Sequence, residues 1–544
     1  MSTDKAVKKT EIGYVNLICA IVFATAIGAA VWLRFADIGV KPFHHDEGVN
    51  AYFLLNLARH GDYKYDPTNY HGPTLYYFAF LALRVFGEND FALRFAPALF
   101  GTLTALMVWP LRKRLGPVGT PVAAFLIALS PGLVYFSRDF IHEMSFGCFS
   151  LGLVVGAWRY AESKNFAWLA LMSISAGLLF ATKETAIITA VVMVIAAVCA
   201  EVWDIMRRMI ERREITPASF ARELWSDCSG LAPSLDHLLA AIIIFVFINI
   251  IFYSSFFRNW HGVTDAVKSV ALWTSRSGSE HVKDFSYYFG ILFKLELPLL
   301  IGSILAGIFI VLRANWFWLF VAAWALGLAL SYSIIGYKTP WLMISFMVPM
   351  ALLSGYAAER IYGALPRSSL KFLWALALVV ILIFNHRIAW TVNFEKYDDN
   401  SNKTGYFADY FSDAERGIKF RPYSDGLYGY VYAQTARGAF QLVQAVKSEM
   451  DRLPSGNQTG IYVATPEYWP LPWYLRDNDQ VAYSGNLPKG VNGTPQISQP
   501  IIIADVSQQP LLDGLPGWRA LPQSFTLRPG VELLVYLRDE AHQQ

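Results

Sequence analysis

The run IGYVNLICAIVFATAIGAAVWL, Ile12 to Leu33, and the cluster His44-His45-Asp46-Glu47 that follows it decide how this chain is read. Ile12 to Leu33 is long enough to cross about 30 Å of hydrocarbon as a helix, for which roughly 20 residues suffice. Lys5, Lys8 and Lys9 precede it, and a secretory leader would have a shorter apolar core and a cleavage site. The run therefore reads as an uncleaved anchor with its N-terminus inside. The cluster then falls on the outer side at the edge of the bilayer, where ionisable groups are costly unless paired, wetted or used. Asp46 and Glu47 are candidates for a general base, a role carboxylates take when burial or a neighbouring like charge raises their pKa. Ion pairs with Arg59, Lys64 or Arg84 that pin the loop are the plain alternative.

Composition agrees with a membrane protein. Of 544 residues, 55% are hydrophobic and 16% charged, which excludes a disordered or nucleic-acid-binding chain. Ten further apolar runs follow the first: 91–111, 116–136, 144–158, 166–181, 186–203, 238–257, 285–312, 316–335, 341–358 and 372–390. That predicts a polytopic α-helical protein with about eleven spans, the runs from Met144 and Phe166 being short. Threaded from an inside N-terminus, the inner loops receive Arg112-Lys113-Arg114, Arg159, Lys164, the arginines between Arg207 and Arg222, Arg313, Arg360, Arg367 and Lys371. This is the bias of the positive-inside rule.

Between the first two spans lies a large outer loop, 36–90, with interfacial helices expected at 50–58 and 74–86 and a Pro/Gly-rich joint between them. After Trp390 the pattern becomes that of a soluble domain. A helix is expected over 433–450, and strands over 460–464, 500–504 and 531–537. The chain is thus expected to divide into a membrane domain, 1–390, and an extracytoplasmic α/β domain, 391–544. The four cysteines show neither a disulfide framework nor zinc spacing.

Other ionisable groups gather on the same predicted face. In Ser137-Arg138-Asp139-Phe140-Ile141-His142-Glu143, a helical backbone would put Asp139 and Glu143 on one side, to hold an acceptor or orient the first-loop acids. An ion pair with Arg138 is the alternative. Lys183-Glu184 and Lys338 place cations at headgroup level, where a departing lipid phosphate needs positive charge, or where lysines simply snorkel. His44, His45, His71 and His142 with Asp46, Glu47, Asp139 and Glu143 also form a loose divalent-metal set without HExxH or EF-hand spacing. No ligand is assigned firmly, and His44, His45, Asp46 and Glu47 are the candidates. Trp469-Pro470-Leu471-Pro472-Trp473-Tyr474 reads as buried packing or as a sugar-binding surface. No Walker A or dinucleotide motif is present.

The order of these features resembles the GT-C superfamily, and within it the protein O-mannosyltransferases and aminoarabinose transferases. The strings His44-His45-Asp46-Glu47-Gly48, Tyr70-His71-Gly72-Pro73-Thr74, Thr182-Lys183-Glu184-Thr185, Tyr337-Lys338-Thr339-Pro340-Trp341 and Trp469-Pro470-Leu471-Pro472-Trp473-Tyr474 look closer still to the flippase activity-associated Agl23-like family. The resemblance implies an inverting transfer from a polyprenyl-phosphate sugar on the outer face to a protein, lipid or glycan acceptor, with no obligatory cofactor. It carries the role of base or acceptor orienter over to Asp46, with Glu47 and Asp139 beside it. Arg138, His142, Glu143, Lys183, Glu184, Lys338, His71 and Tyr337 are expected to hold substrate. Two other readings stand beside it: an accessory to lipid-linked sugar flipping, and a structural subunit of a membrane complex. A transporter would place charge at mid-bilayer, whereas here the span centres are almost free of it.

Overall fold

The computed structural model describes residues 2–61, 63–68, 71–276, 281–312, 315–397, 429–430, 434–488, 495–528 and 530–539. The chain divides into two compact units. The first holds Met1–Ile38 and Asp62–Glu395; the second joins Gly39–Gly61, from the first loop, to the C-terminal region.

In the first unit every apolar run named above is helical. Among the described residues, seven helical stretches have the length and apolar character to cross a membrane, and a bent pair makes an eighth. One of the seven, Asp90–Leu129, contains two of the predicted spans, interrupted near Met107–Leu111 and at Gly116, where φ is +79°. The helices Glu143–Ser163 and Phe166–Phe180 account for the two short runs. Tight packing comes from small residues. A Cβ on Gly119 would stand 2.6 Å from the Gly355 carbonyl oxygen, so Arg112–Leu129 and Ile344–Ala364 meet nearly backbone to backbone.

The run 285–312 departs from the prediction of one span. It is two helices, Tyr287–Leu295 and Leu297–Leu312, set at 107° to one another. The physical cause sits at the break. Glu296 is fully buried, and its Oε1 accepts hydrogen bonds from Ser130 Oγ at 2.9 Å and Gly132 N at 2.7 Å. A carboxylate in an apolar run demands such partners, and satisfying them turns the chain.

The second unit contains a six-stranded sheet: β1 Ile461–Ala464, β2 Val481–Ser484, β3 Ile501–Asp505, β4 Trp518–Ala520, β5 Phe525–Arg528 and β6 Val531–Arg538. β1 pairs in parallel with β2 and β3, while β6 runs antiparallel to β3, β4 and β5. The Ile501-Ile502-Ile503-Ala504 run is buried on both faces, as a central strand requires. The helix Gly438–Met450 packs against β5, where a Cβ on Gly438 would meet the Thr526 carbonyl oxygen at 2.4 Å.

Candidate active site

In the first unit, a set of ionisable groups is assembled around a short backbone dock. Gly72 N–H donates to Thr182 O at 2.9 Å, and Thr74 Oγ1 lies 2.8 Å from Thr182 Oγ1. A Cβ on Gly72 would stand 2.1 Å from the Ala181 carbonyl oxygen, so only glycine allows this approach. The dock brings His71 to Glu184, with Nδ1–H donating to Oε2 at 3.1 Å; the Glu184 side chain is fully buried and that of His71 is 29% exposed. Next to this pair, Lys183 Nζ donates to Glu143 Oε1 at 2.7 Å, with both side chains nearly buried. His142 closes the set: its Nε2–H donates to Gly72 O at 3.0 Å, and its ring lies 5.0 Å from that of His71.

The electrostatics follow from this pairing. Burial pulls the Lys183 ammonium down, but Glu143 and Glu184 outweigh it and hold Lys183 above its ordinary value. Burial likewise pushes Glu184 up, and His71 and Lys183 reverse the sign, leaving the carboxylate below its usual range. Burial, with His71 and Lys183 beside it, drives His142 well below its usual value, so it is a neutral donor. Glu184 Oε1 is buried and has no hydrogen-bond partner among the described residues, which leaves a carboxylate oxygen ready for a donor.

Arg138 and Asp139 lie close by in sequence but do not continue a helix. The helix Pro131–Ser137 ends before them and the next begins at Glu143, so the expected one-sided helical placement of Asp139 and Glu143 is corrected to a turn. Arg138 is fully buried. Its guanidinium donates to the carbonyls of Leu33, Ala36 and Asp37 at 2.7–3.0 Å, capping the C-terminal end of the helix Ser2–Phe35. Burial and the nearby Arg94 pull it down to about 9, still charged at neutral pH. Asp139 is 3% exposed in the same turn. Lys338 is buried too, donating to Ile335 O at 2.6 Å and Lys283 O at 3.0 Å, while Tyr337 packs edge-on against His281. Tyr332, one aromatic among many in an apolar run of the sequence, is 1% exposed and lies near Lys183.

The first-loop cluster belongs to the second unit. His44 caps the helix His45–Leu55, its Nδ1 accepting from Asp46 N at 3.1 Å, and Glu47 Oε2 reaches back to accept from His44 N at 2.8 Å. This capping box has histidine in the place usual for serine or threonine. Glu47 is fully buried, whereas Asp46 is half-buried in the first turn, and its carboxylate makes no hydrogen bond or ion pair among the described residues. His45 Nδ1 lies 3.4 Å from Arg528 Nη1. Burial, with His44 and Arg528 adding to it against the pull of Asp46, lowers His45 to about 4.

Among the described residues no three of His, Cys, Asp and Glu come together as a metal-holding group. In the suggested set, His44 Nδ1 and Glu47 Oε2 are each engaged by a backbone N–H. The donors do not fit a ready-made metal site.

Residues 70–215 match the family described as dolichyl-phosphate-mannose-protein mannosyltransferase. No curated protein matches the chain in sequence. Among solved structures, ArnT from Cupriavidus metallidurans bound to undecaprenyl phosphate superposes with a TM-score of 0.56 at 14% identity, over 94% of this chain and 97% of that one. The apo form of the same protein gives 0.53 at 13% identity, over 97% and 98%. The apo oligosaccharyltransferase of Archaeoglobus fulgidus gives 0.50 at 14% identity, over 90% of this chain and 70% of that one. The narrower likeness to Agl23-like proteins is not confirmed by these matches. With its apolar helices and strand-containing C-terminal unit, the chain is an integral membrane protein whose fold is similar to that of ArnT.

Proposed function

We propose that this protein is a membrane glycosyltransferase that moves a sugar from a polyprenyl-phosphate donor to an acceptor on the extracytoplasmic face, with Asp46 as base. Asp46 takes the proton from an acceptor hydroxyl or amine as that atom attacks the anomeric carbon. The bond from that carbon to the phosphate oxygen breaks, and the polyprenyl phosphate departs with the electron pair, inverting the centre. The observation that carries the reading is the contrast at the loop helix: Glu47 is engaged in the cap, while the adjacent Asp46 carboxylate is half-buried with no partner among the described residues. Likeness to a lipid-phosphate-bound ArnT over nearly the whole chain supports the donor class.

The paired groups of the first unit suit the donor and the sugar. Lys183 offers a fixed positive charge to the phosphate, Glu184 Oε1 is an acceptor for a sugar hydroxyl, and His71 presents a partly exposed imidazole edge. Arg138 and Lys338 act by fixing backbone, Arg138 at the end of the helix Ser2–Phe35 and Lys338 at Lys283 and Ile335. No step requires a metal, and turnover that persists in EDTA is the expected result.

The test is turnover of radiolabelled undecaprenyl-phosphate mannose and undecaprenyl-phosphate aminoarabinose in membranes holding the full chain, wild type against Asp46→Asn. Loss by about 10²–10⁴-fold supports a general base. Equal turnover in the variant removes Asp46 from the chemistry, and no turnover of any lipid-phosphate sugar by wild type returns the accessory reading.

A further inference from the structure

The helix that bears Asp46 is seated on connecting segments of the C-terminal region, within the second unit. Just before the helix, Phe43 donates its backbone N–H to Tyr474 Oη at 2.7 Å. Its ring stacks on Trp473, with 5.2 Å between centroids and 7° between planes. One turn into the helix, a Cβ on Gly48 would stand 2.8 Å from Pro470 Cβ and 3.1 Å from the Trp469 ring. A side chain of any size there would push the helix off its seat.

A buried cation holds the other side. Arg528, at the end of β5, is 1% exposed; it donates to Trp469 O, and it lies 3.4 Å from both His45 Nδ1 and Glu467 Oε2. Arginine's planar fork meets a carbonyl on one nitrogen and an imidazole and a carboxylate on the other, a fixed spread that a lysine ammonium does not reproduce. In the segment Trp469 to Tyr474, the rings of Trp473 and Tyr474 are buried against Phe43 just before the loop helix, and the part-buried Trp469 lies edge-on to Tyr52 on it.

We propose that the C-terminal unit is a positioning part of the reaction centre, in which Trp469, Pro470, Trp473, Tyr474 and Arg528 lock the loop helix and thereby aim the Asp46 carboxylate. This rests on the reading of Asp46 as base. Carbon atoms normally approach to about 3.5–4.0 Å, so an alanine at position 48 displaces the helix by about 1 Å. A misplacement of that size at a reacting group lowers turnover by about 10²-fold.

The experiment pairs two readouts on the full-length protein in detergent or membranes. Gly48→Ala and Trp473→Ala are each compared with Trp473→Phe, which keeps a ring to stack. Amide hydrogen exchange over residues 45–55 is expected to quicken in the alanine variants and to stay near wild type in Trp473→Phe, with Glu143–Ser163 unchanged throughout. In the same variants kcat for the undecaprenyl-phosphate sugar is expected to fall about 10–100-fold, while KM for that lipid moves less than about threefold. Unchanged exchange over 45–55 in both alanine variants would falsify the seat. Quickened exchange with unchanged kcat overturns its role in positioning. Full turnover by Asp46→Asn, by contrast, removes the base reading and leaves the exchange result to judge the seat separately.

Discussion

The two clusters of ionisable residues solve the same problem in opposite ways. In the first unit, Lys183 with Glu143 and His71 with Glu184 form close pairs in which almost every charge is buried and answered. In the second, Glu47 and His44 answer the backbone of the loop helix, and Asp46 beside them is left half-buried without a partner among the described residues. Pairs of the first kind make a rigid, charge-balanced frame, because breaking either member strands the other in a low-dielectric site. A carboxylate of the second kind keeps its lone pairs for an incoming proton. The contrast separates paired groups that stiffen the first unit from the residue of the second unit proposed as base.

Four substitutions or conditions break the comparison. Lys183→Met should have the largest effect on stability, about 3–5 kcal/mol, because Glu143 is left buried and uncompensated. Thermal unfolding of the purified protein measures it, and pairing the change with Glu143→Leu should recover much of the loss. Little loss in the single variant would mean that this pair is not part of the frame.

Next comes pH. His45 is held down to about 4, against about 6.5 in an unfolded chain, so the unfolded form binds the proton first. Its contribution to the second unit is present in full above about pH 6.5 and is lost as the pH falls toward 4. Hydrogen exchange over 45–55 followed from pH 7 to 4 should show that loss, and His45→Gln should flatten it.

Glu47→Ala removes one arm of the capping box. Its expected cost is about 1 kcal/mol, seen as faster exchange in the first turn of the helix, while Glu47→Gln keeps the hydrogen-bonding arm and nearly all the stability. The smallest effect belongs to Arg59, whose contact with Asp477 is 3.2 Å long but open to solvent. Arg59→Ala should shift stability by less than about 1 kcal/mol in a urea or thermal titration.

Much of the architecture was legible because its signals are local. Apolar length gave the membrane helices, and the Ile501–Ala504 run gave a buried strand, since both follow from the residues' own solvation. The ends of the site were harder. Lys183 and Glu184 stood out by sitting between two apolar runs, but their partners Glu143 and His71 are distant in the chain and only the fold selects them. Arg138 beside Asp139 suggested an ion pair. The guanidinium instead caps a helix more than a hundred residues earlier, a use of arginine that leaves no trace in spacing. Glu47 looked like the twin of Asp46, because a histidine-headed capping box is outside the usual serine or threonine pattern. Trp469 to Tyr474 reads as packing or as an open surface, and its contacts with Phe43 and Gly48 are unreadable at a separation of more than four hundred residues.

The bend at Glu296 also bears on how the chain is made. Its two tethers, Ser130 and Gly132, come 166 and 164 residues earlier. They have left the ribosome before the glutamate does. An ionised side chain entering the lipid alone costs about 3 kcal/mol, so the half-finished bundle acts as an internal guide that receives this segment as it emerges. Disturbing Ser130 would then be felt first during biogenesis, as chains that stall or are degraded, before any finished molecule is weakened.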